Sequence, residues 1–262
     1  MHINPERYID DLINIIYKAG NAVMLEYQNQ SGYELKDDNS PITKADLKSH
    51  RIIVENLMKV FPNFPILSEE SCKSFLLKNP DDAFWCIDPI DGTKEFIDKN
   101  GEFTINIALI LKKKPVLGLV LLPASNTLYY AIKSKGSFKI KNNKKKMIFT
   151  KKNIKKPIFA VSRSHINIKT KQYLEKFESY SIKKVGSSVK LCLVAEGEID
   201  CYPRLGPTSI WDIAAGHCIL NEAGGKIFDE KNNLLKYDVS NSYLNNNFVA
   251  QSEAFLKYVK NS

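Results

Sequence analysis

The chain has 262 residues, 44% hydrophobic and 26% charged, a mix that excludes wholesale disorder, collagen and coiled coil. No run of about 18 apolar residues occurs, so no transmembrane helix is expected. The net charge of +9 is local: residues 139–156 hold nine lysines and no acid, and outside them 29 basic side chains face 29 acidic ones.

That tract contains one aromatic residue, Phe149, and so offers no stacking platform for single strands. It reads as a solvated lysine-rich hairpin rather than a specific nucleic-acid site, with weak attraction to anionic membrane or polyanions as the alternative. The N-terminal stretch sets Glu6, Asp10 and Asp11 among its apolar residues, unlike a signal peptide. The five cysteines include no C-x-x-C and the four histidines are scattered, so neither a disulfide framework nor a zinc site is indicated. Reduced thiols point to the cytoplasm, where the lysine tract would touch the cytoplasmic face of the inner membrane in the peripheral alternative.

In chain order, residues 6–28 carry apolar side chains three and four apart and predict an amphipathic helix. The polar stretch KDDNSPIT reads as a loop, and Thr43 opens a second helix that Phe61-Pro62 breaks. FPILSEE is a short strand ending in acids, and AFWCID a buried strand expected to stop at Pro89. Residues 103–111, 115–122, 127–132 and 136–140 continue the sheet. From about residue 157 strands and helices alternate: a strand, a helix over 169–179, a helix over 187–196, a strand at IDCYPR, a helix over 211–223, two strands and a last helix. We expect an α+β half over 1–150 and an α/β half over 151–262.

The acids sit at the ends of these elements. Glu69 and Glu70 end one strand, Asp88 and Asp91 the next, and Asp212 follows Trp211 at a helix start. Carboxylates gathered at one sheet edge repel each other, and a hard divalent cation removes that cost. Oxygen ligands without His or Cys favour Mg²⁺ or Mn²⁺. In Asp88-Pro89-Ile90-Asp91-Gly92-Thr93 the turn can aim both aspartates at one point, Gly92 lets the backbone approach a ligand, and a helix starting at Thr93 would present free N–H groups. Taken alone, Asp88 and Asp91 also fit a turn with an N-cap, and Asp212 fits a helix-dipole acid.

Beyond these residues, LSEES, WCIDPIDGTKEF, GEFTINIALI and GSSVKLCLVAEGEIDCYPRLGPTSIWDIAAGHCILNEAGG together resemble the inositol monophosphatase superfamily, and within it the CysQ-type bisphosphate nucleotidases. DPIDGT followed by WD-x-AAG is a specific pair. The resemblance implies a five-layer αβαβα sandwich and a phosphatase that uses two or three Mg²⁺ ions, with sensitivity to Li⁺. By position it implies Glu69, Asp88, Asp91, Asp212 and the Ile90 carbonyl as metal ligands, with Asp46 helping to hold a further ion. Glu69 and Thr93 match the pair that orients the attacking water. Thr93 is no strong base by itself, so a carboxylate must take its proton. Gly92 and Thr93 match the phosphate-binding turn.

The same resemblance assigns the substrate as a phosphorylated nucleotide, adenosine 3′,5′-bisphosphate and its sulfated form, in sulfur metabolism. Ser187, Lys190 and Arg204 match residues that bind the phosphate that is not cleaved, and His165 lies in the segment SRSH that contacts the nucleoside. Against this, Lys190 fits a solvated helix lysine, Arg204 a surface strand end and His165 a structural loop residue. An inositol or other sugar phosphatase is the second reading, and a non-catalytic polyanion-binding protein the third.

Overall fold

The computed structural model describes residues 5–29, 32–79, 81–163, 166–240 and 242–260. A 3₁₀ turn over Pro5–Tyr8 leads into α1 (Ile9–Gln28), which buries Leu12, Ile15, Ile16, Ala19 and Val23 along one stripe. The stretch expected to be a loop is in part a short hairpin, β1 (Tyr33–Leu35) with β2 (Pro41–Thr43). Its strands are three residues each and β1 is exposed, so no alternation of apolar residues announces them. Thr43 caps α2 (Lys44–Val60): its hydroxyl accepts from Ala45 N–H, and Asp46 accepts the Thr43 N–H at 2.8 Å.

A seven-stranded sheet follows in sequence order, from β3 (Ile66–Ser68) and β4 (Phe84–Asp91) through β5 (Thr104–Leu111), β6 (Lys114–Leu122), β7 (Thr127–Ile132) and β8 (Gly136–Lys141) to β9 (Lys144–Ile148). β3 and β4 are parallel, and the remaining pairs are antiparallel. Between β4 and β5 the chain forms the one-turn helix α3 (Thr93–Ile97).

Both faces of this sheet are buried, which is why its central strands are apolar almost throughout. Ile105, Ile107 and Leu109 of β5 face the cluster built with α1 and α2, while Ala108 and Ile110 face the other. β6 and β7 split in the same way.

β4 does not stop at Pro89. It runs on to Asp91, with two residues between Asp88 and Asp91 set against one between Asn106 and Thr104 on β5. The extra residue is a bulge that accommodates the missing proline N–H, and the Pro89 carbonyl is taken by Ser49 Oγ at 2.8 Å.

The second sheet is five-stranded, with β10 (Ile158–Ser162), β11 (Ser181–Val185), β12 (Cys201–Arg204), β13 (Lys226–Asp229) and β14 (Phe248–Gln251) in the order β11-β10-β12-β14-β13. α4 (Ile168–Leu174) and α7 (Glu253–Lys260) pack on its outer face around Phe159, Leu174 and Phe255. α4 is shorter than the helix expected over 169–179, and β11 carries no strand pattern in the sequence because most of its residues are exposed.

α5 (Val189–Ala195) and α6 (Ile210–Glu222) lie between the two sheets and are buried on nearly all sides. At Gly118 of β6 a Cβ would come 2.3 Å from the Ala215 carbonyl, so a glycine there lets α6 sit directly on the sheet. The layers are therefore α1/α2, seven strands, α5/α6, five strands and α4/α7, the expected αβαβα sandwich.

The first part of the lysine tract lies in the β8–β9 hairpin at the edge of the large sheet, where charged side chains discourage edge-to-edge pairing, and the rest, 149–156, follows β9 outside any strand. Lys139 is an exception to the solvated reading, because it pairs with the buried Glu196 at 2.6 Å. Among the described residues no helix is long and apolar enough to cross a membrane.

Candidate active site

The end of β3, the bulge of β4 and the start of α6 meet at one edge of the large sheet. Glu69, Asp88 and Asp212 each bring a carboxylate oxygen within 4.8 Å of the others. Asp88 is buried, and among the described residues neither of its oxygens has a hydrogen-bond partner. Burial and then the neighbouring charges of Glu69, Asp91, Asp212 and Asp46 push its carboxyl well above the usual range. Asp91 is also raised, by burial and then by Asp212, with Lys190 and the Ser188 N–H working against the rise.

Asp212 is raised by burial, held back by the Thr208 hydroxyl that donates to it. Its side chain also accepts Ser209 N–H at 2.9 Å, so the reading of Asp212 as a helix-start acid is correct as local structure and does not exclude a ligand role. An orphaned, buried carboxylate among other acids is what a divalent oxygen-ligand site presents, so the residues fit Mg²⁺ or Mn²⁺.

Asp46 is buried close to this cluster. Its Oδ2 takes the Thr43 N–H and hydroxyl, while its Oδ1 is 3.3 Å from the Thr93 hydroxyl. Thr93 Oγ1 is also 3.4 Å from the Ile90 carbonyl. One acid thus caps α2 and holds the hydroxyl at the start of α3. Gly92, between Asp91 and Thr93, has φ +92, and a Cβ there would stand 3.3 Å from Glu102 O, Glu95 Oε2 and Ser187 Cβ. Glycine relieves both the left-handed backbone and the close approach.

Beside the acids is a cavity of about 170 Å³ whose walls include Asp91, Gly92, Ser187, Lys190, Arg204 and Asp212. Lys190 is not a solvated helix lysine. It is buried, its amine reaches the Val185 carbonyl at 3.3 Å and also the Ser187 carbonyl, and it lies 5.3 Å over the Tyr202 ring. Burial lowers its pKa, against the pull of Asp91. Arg204 is not merely a surface strand end: it lines the cavity and donates to the Pro207 carbonyl at 2.6 Å. Ser187 has φ +42, and its hydroxyl is buried without a partner among the described residues. His165 lies outside the described residues.

Two features escaped the sequence. Lys36, from the β1–β2 hairpin, pairs with Glu69 at 2.7 Å and Glu70 at 2.9 Å; a lysine in a polar stretch carries no signal of that destination. Glu102 and Arg163, from opposite halves of the chain, meet beside Gly186. Glu102 does lie in a quoted motif, GEFTINIALI, but spacing alone does not name its partner.

The inositol monophosphatase family model matches residues 4–261. The chain is 40% identical over 242 residues to the 3′(2′),5′-bisphosphate nucleotidase CysQ of Shigella flexneri, covering 92% of this chain and 98% of the relative. The CysQ nucleotidase of Buchnera aphidicola is 40% identical over 250 residues, 94% of each chain. The crystal structure of CysQ from Bacteroides thetaiotaomicron, a bacterial member of the inositol monophosphatase family, superposes with a TM-score of 0.79 at 35% identity, covering 92% of this chain and 95% of that one.

Proposed function

The chain belongs to the inositol monophosphatase family, and from that premise we propose that it is a metal-dependent 3′(2′),5′-bisphosphate nucleotidase that removes the 3′-phosphate of adenosine 3′,5′-bisphosphate to leave AMP. The relatives bear that activity in their names. The observation that carries the reading is the pairing of an acidic cluster around the buried Asp88 carboxylate with a cavity walled by Lys190 and Arg204. A monophosphate would leave those two cations without an anion, which favours the nucleotide over an inositol phosphate. The intact acidic cluster argues against a protein that only binds polyanions, since idle buried carboxylates destabilise.

Glu69, Asp88, Asp91, Asp212 and the Ile90 carbonyl would hold Mg²⁺, with Asp46 placed to help hold a further ion. The chemistry such ions supply is Lewis acidity toward water and the ester oxygens. The protein's part is orientation. The Thr93 hydroxyl, donating to Asp46, turns its oxygen lone pairs toward an incoming water, and Asp46 can take the threonine proton as that water is deprotonated. Glu69 orients the same water. Gly92 and Thr93 form the turn against which the cleaved phosphate rests. Ser187, Lys190 and Arg204 bind the retained phosphate, where guanidinium geometry suits a bidentate contact. The free thiols fit a reducing compartment such as the cytoplasm.

The experiment is phosphate release with Mg²⁺ on adenosine 3′,5′-bisphosphate, inositol 1-phosphate and fructose 1,6-bisphosphate. Preference for the first is expected. Turnover of inositol 1-phosphate with none of the bisphosphate nucleotide would overturn the assignment.

A further inference from the structure

The turn that carries Ser187 is held from outside the catalytic set. Glu102 lies two residues before Thr104, and Asn106 two beyond it on β5. The Glu102 carboxylate accepts the Gly186 N–H at 2.7 Å and Arg163 Nε at 2.8 Å, and Arg163 Nη2 donates to its other oxygen. The same guanidinium reaches the Lys184 carbonyl at 3.4 Å. Thr104 and Asn106 flank Ser188 Oγ at 2.8 and 2.9 Å. Glu102 also packs directly on the turn, since a Cβ at Gly186 would stand 3.1 Å from its side chain.

Between those two anchor points is Ser187, left-handed at φ +42, its hydroxyl buried at the cavity wall and unpartnered among the described residues. A non-glycine residue persists in that region only when its surroundings over-determine it. The Ser187 carbonyl in turn accepts the Lys190 amine. One turn therefore sets both a hydroxyl and an ammonium in the cavity.

We propose that Glu102 and Arg163 form a clasp, joining the two halves of the chain, that positions the 186–188 turn for the phosphate the enzyme binds but does not cleave. They are positioning residues for substrate selectivity, and the proposal rests on the nucleotidase reading. Arg163 is largely exposed, and an exposed ion pair by itself contributes little. The working contact is the acceptor that Glu102 offers to Gly186, with Arg163 fixing the carboxylate in place.

The test is steady-state kinetics on adenosine 3′,5′-bisphosphate and adenosine 3′-monophosphate with Mg²⁺, together with melting temperatures. Glu102→Ala should raise KM for the bisphosphate by about tenfold or more while kcat falls by less than about threefold, and the preference over the monophosphate should drop in step. Glu102→Gln keeps an acceptor for Gly186 and should recover most of the loss. The charge-reversed double variant Glu102→Arg/Arg163→Glu should not, because arginine accepts nothing from Gly186. Where Glu102→Ala fails to fold, Arg163→Ala carries the same KM test. Restoration by charge reversal, an unchanged preference, or a loss confined to kcat would overturn the clasp. A wild-type enzyme inert toward the bisphosphate would overturn the nucleotidase reading and the clasp's role with it, whereas failure of the variants beside an active wild type overturns the clasp alone.

Discussion

At the residue scale the site is defined by carboxylates that resist ionisation. Asp91→Asn removes a carboxylate that would hold the cation beside Asp88, and should abolish most of the Mg²⁺-induced rise in melting temperature together with turnover. Scanning calorimetry with and without Mg²⁺ checks this, and near wild-type turnover would sink the convergent site. Thr93→Ala removes the hydroxyl held 3.3 Å from Asp46 and should cut turnover by about 10²-fold with little change in folding. Unchanged turnover would reduce Thr93 to a helix-start residue. Arg204→Ala should weaken use of adenosine 3′,5′-bisphosphate by about 1.5–3 kcal/mol and leave adenosine 3′-monophosphate nearly unaffected. Equal losses on both nucleotides would mean Arg204 supports the fold instead. Lys190→Ala is a less selective probe than Arg204→Ala, because the amine also ties down two carbonyls of the preceding turn and its removal should lower the melting temperature as well.

At the scale of elements, what could be read from the chain depended on how local the cause was. The start of α2 was legible because Thr43 and Asp46 form a capping pair three residues apart. That cap is also part of the site, since Asp46 faces Thr43 with one oxygen and Thr93 with the other. Thr43→Val should therefore cost about 1 kcal/mol of stability through the lost cap and also lower turnover, measured by denaturant unfolding beside kinetics. Loss of stability with full activity would separate the cap from the site. Proline usually ends a ladder, so the sequence predicts that β4 stops at Pro89, yet the bulge carries the strand on to Asp91. The β1–β2 hairpin, which delivers Lys36 to Glu69, reads as loop in the sequence because strands of three residues have no measurable period.

At the scale of the whole molecule the acids set an electrostatic cost that depends on pH. Asp88, Asp91 and Asp212 have carboxyls raised mainly by burial, and Glu70 is raised to about 7 for the same reason. Such groups keep protons in the folded state at pH values where the unfolded chain has released them. Their contribution to stability is present below about pH 4 and is lost as pH rises through the raised values. His217, buried against the Tyr237 hydroxyl and lowered to about 3, acts in the opposite sense: its contribution is present above about pH 6.5 and lost as pH falls toward 3. Mg²⁺ competes with protons for the acids alone. The gap in melting temperature between Mg²⁺ and a chelator should widen from about pH 5 to about pH 8, and a gap that does not change with pH would mean that the acids do not share a cation. The sequence by itself determined the buried central strands, the two N-terminal helices and the acids at element ends, because apolar period, caps and strand termini are local properties. The family resemblance carried by DPIDGT and WD-x-AAG was equally legible. Only the tertiary structure decided which acids meet, that Lys190 is buried, and that Glu102 reaches Gly186. Those contacts join residues up to 143 positions apart, as from Glu69 to Asp212, and strand order and layer packing, not spacing, bring such residues together.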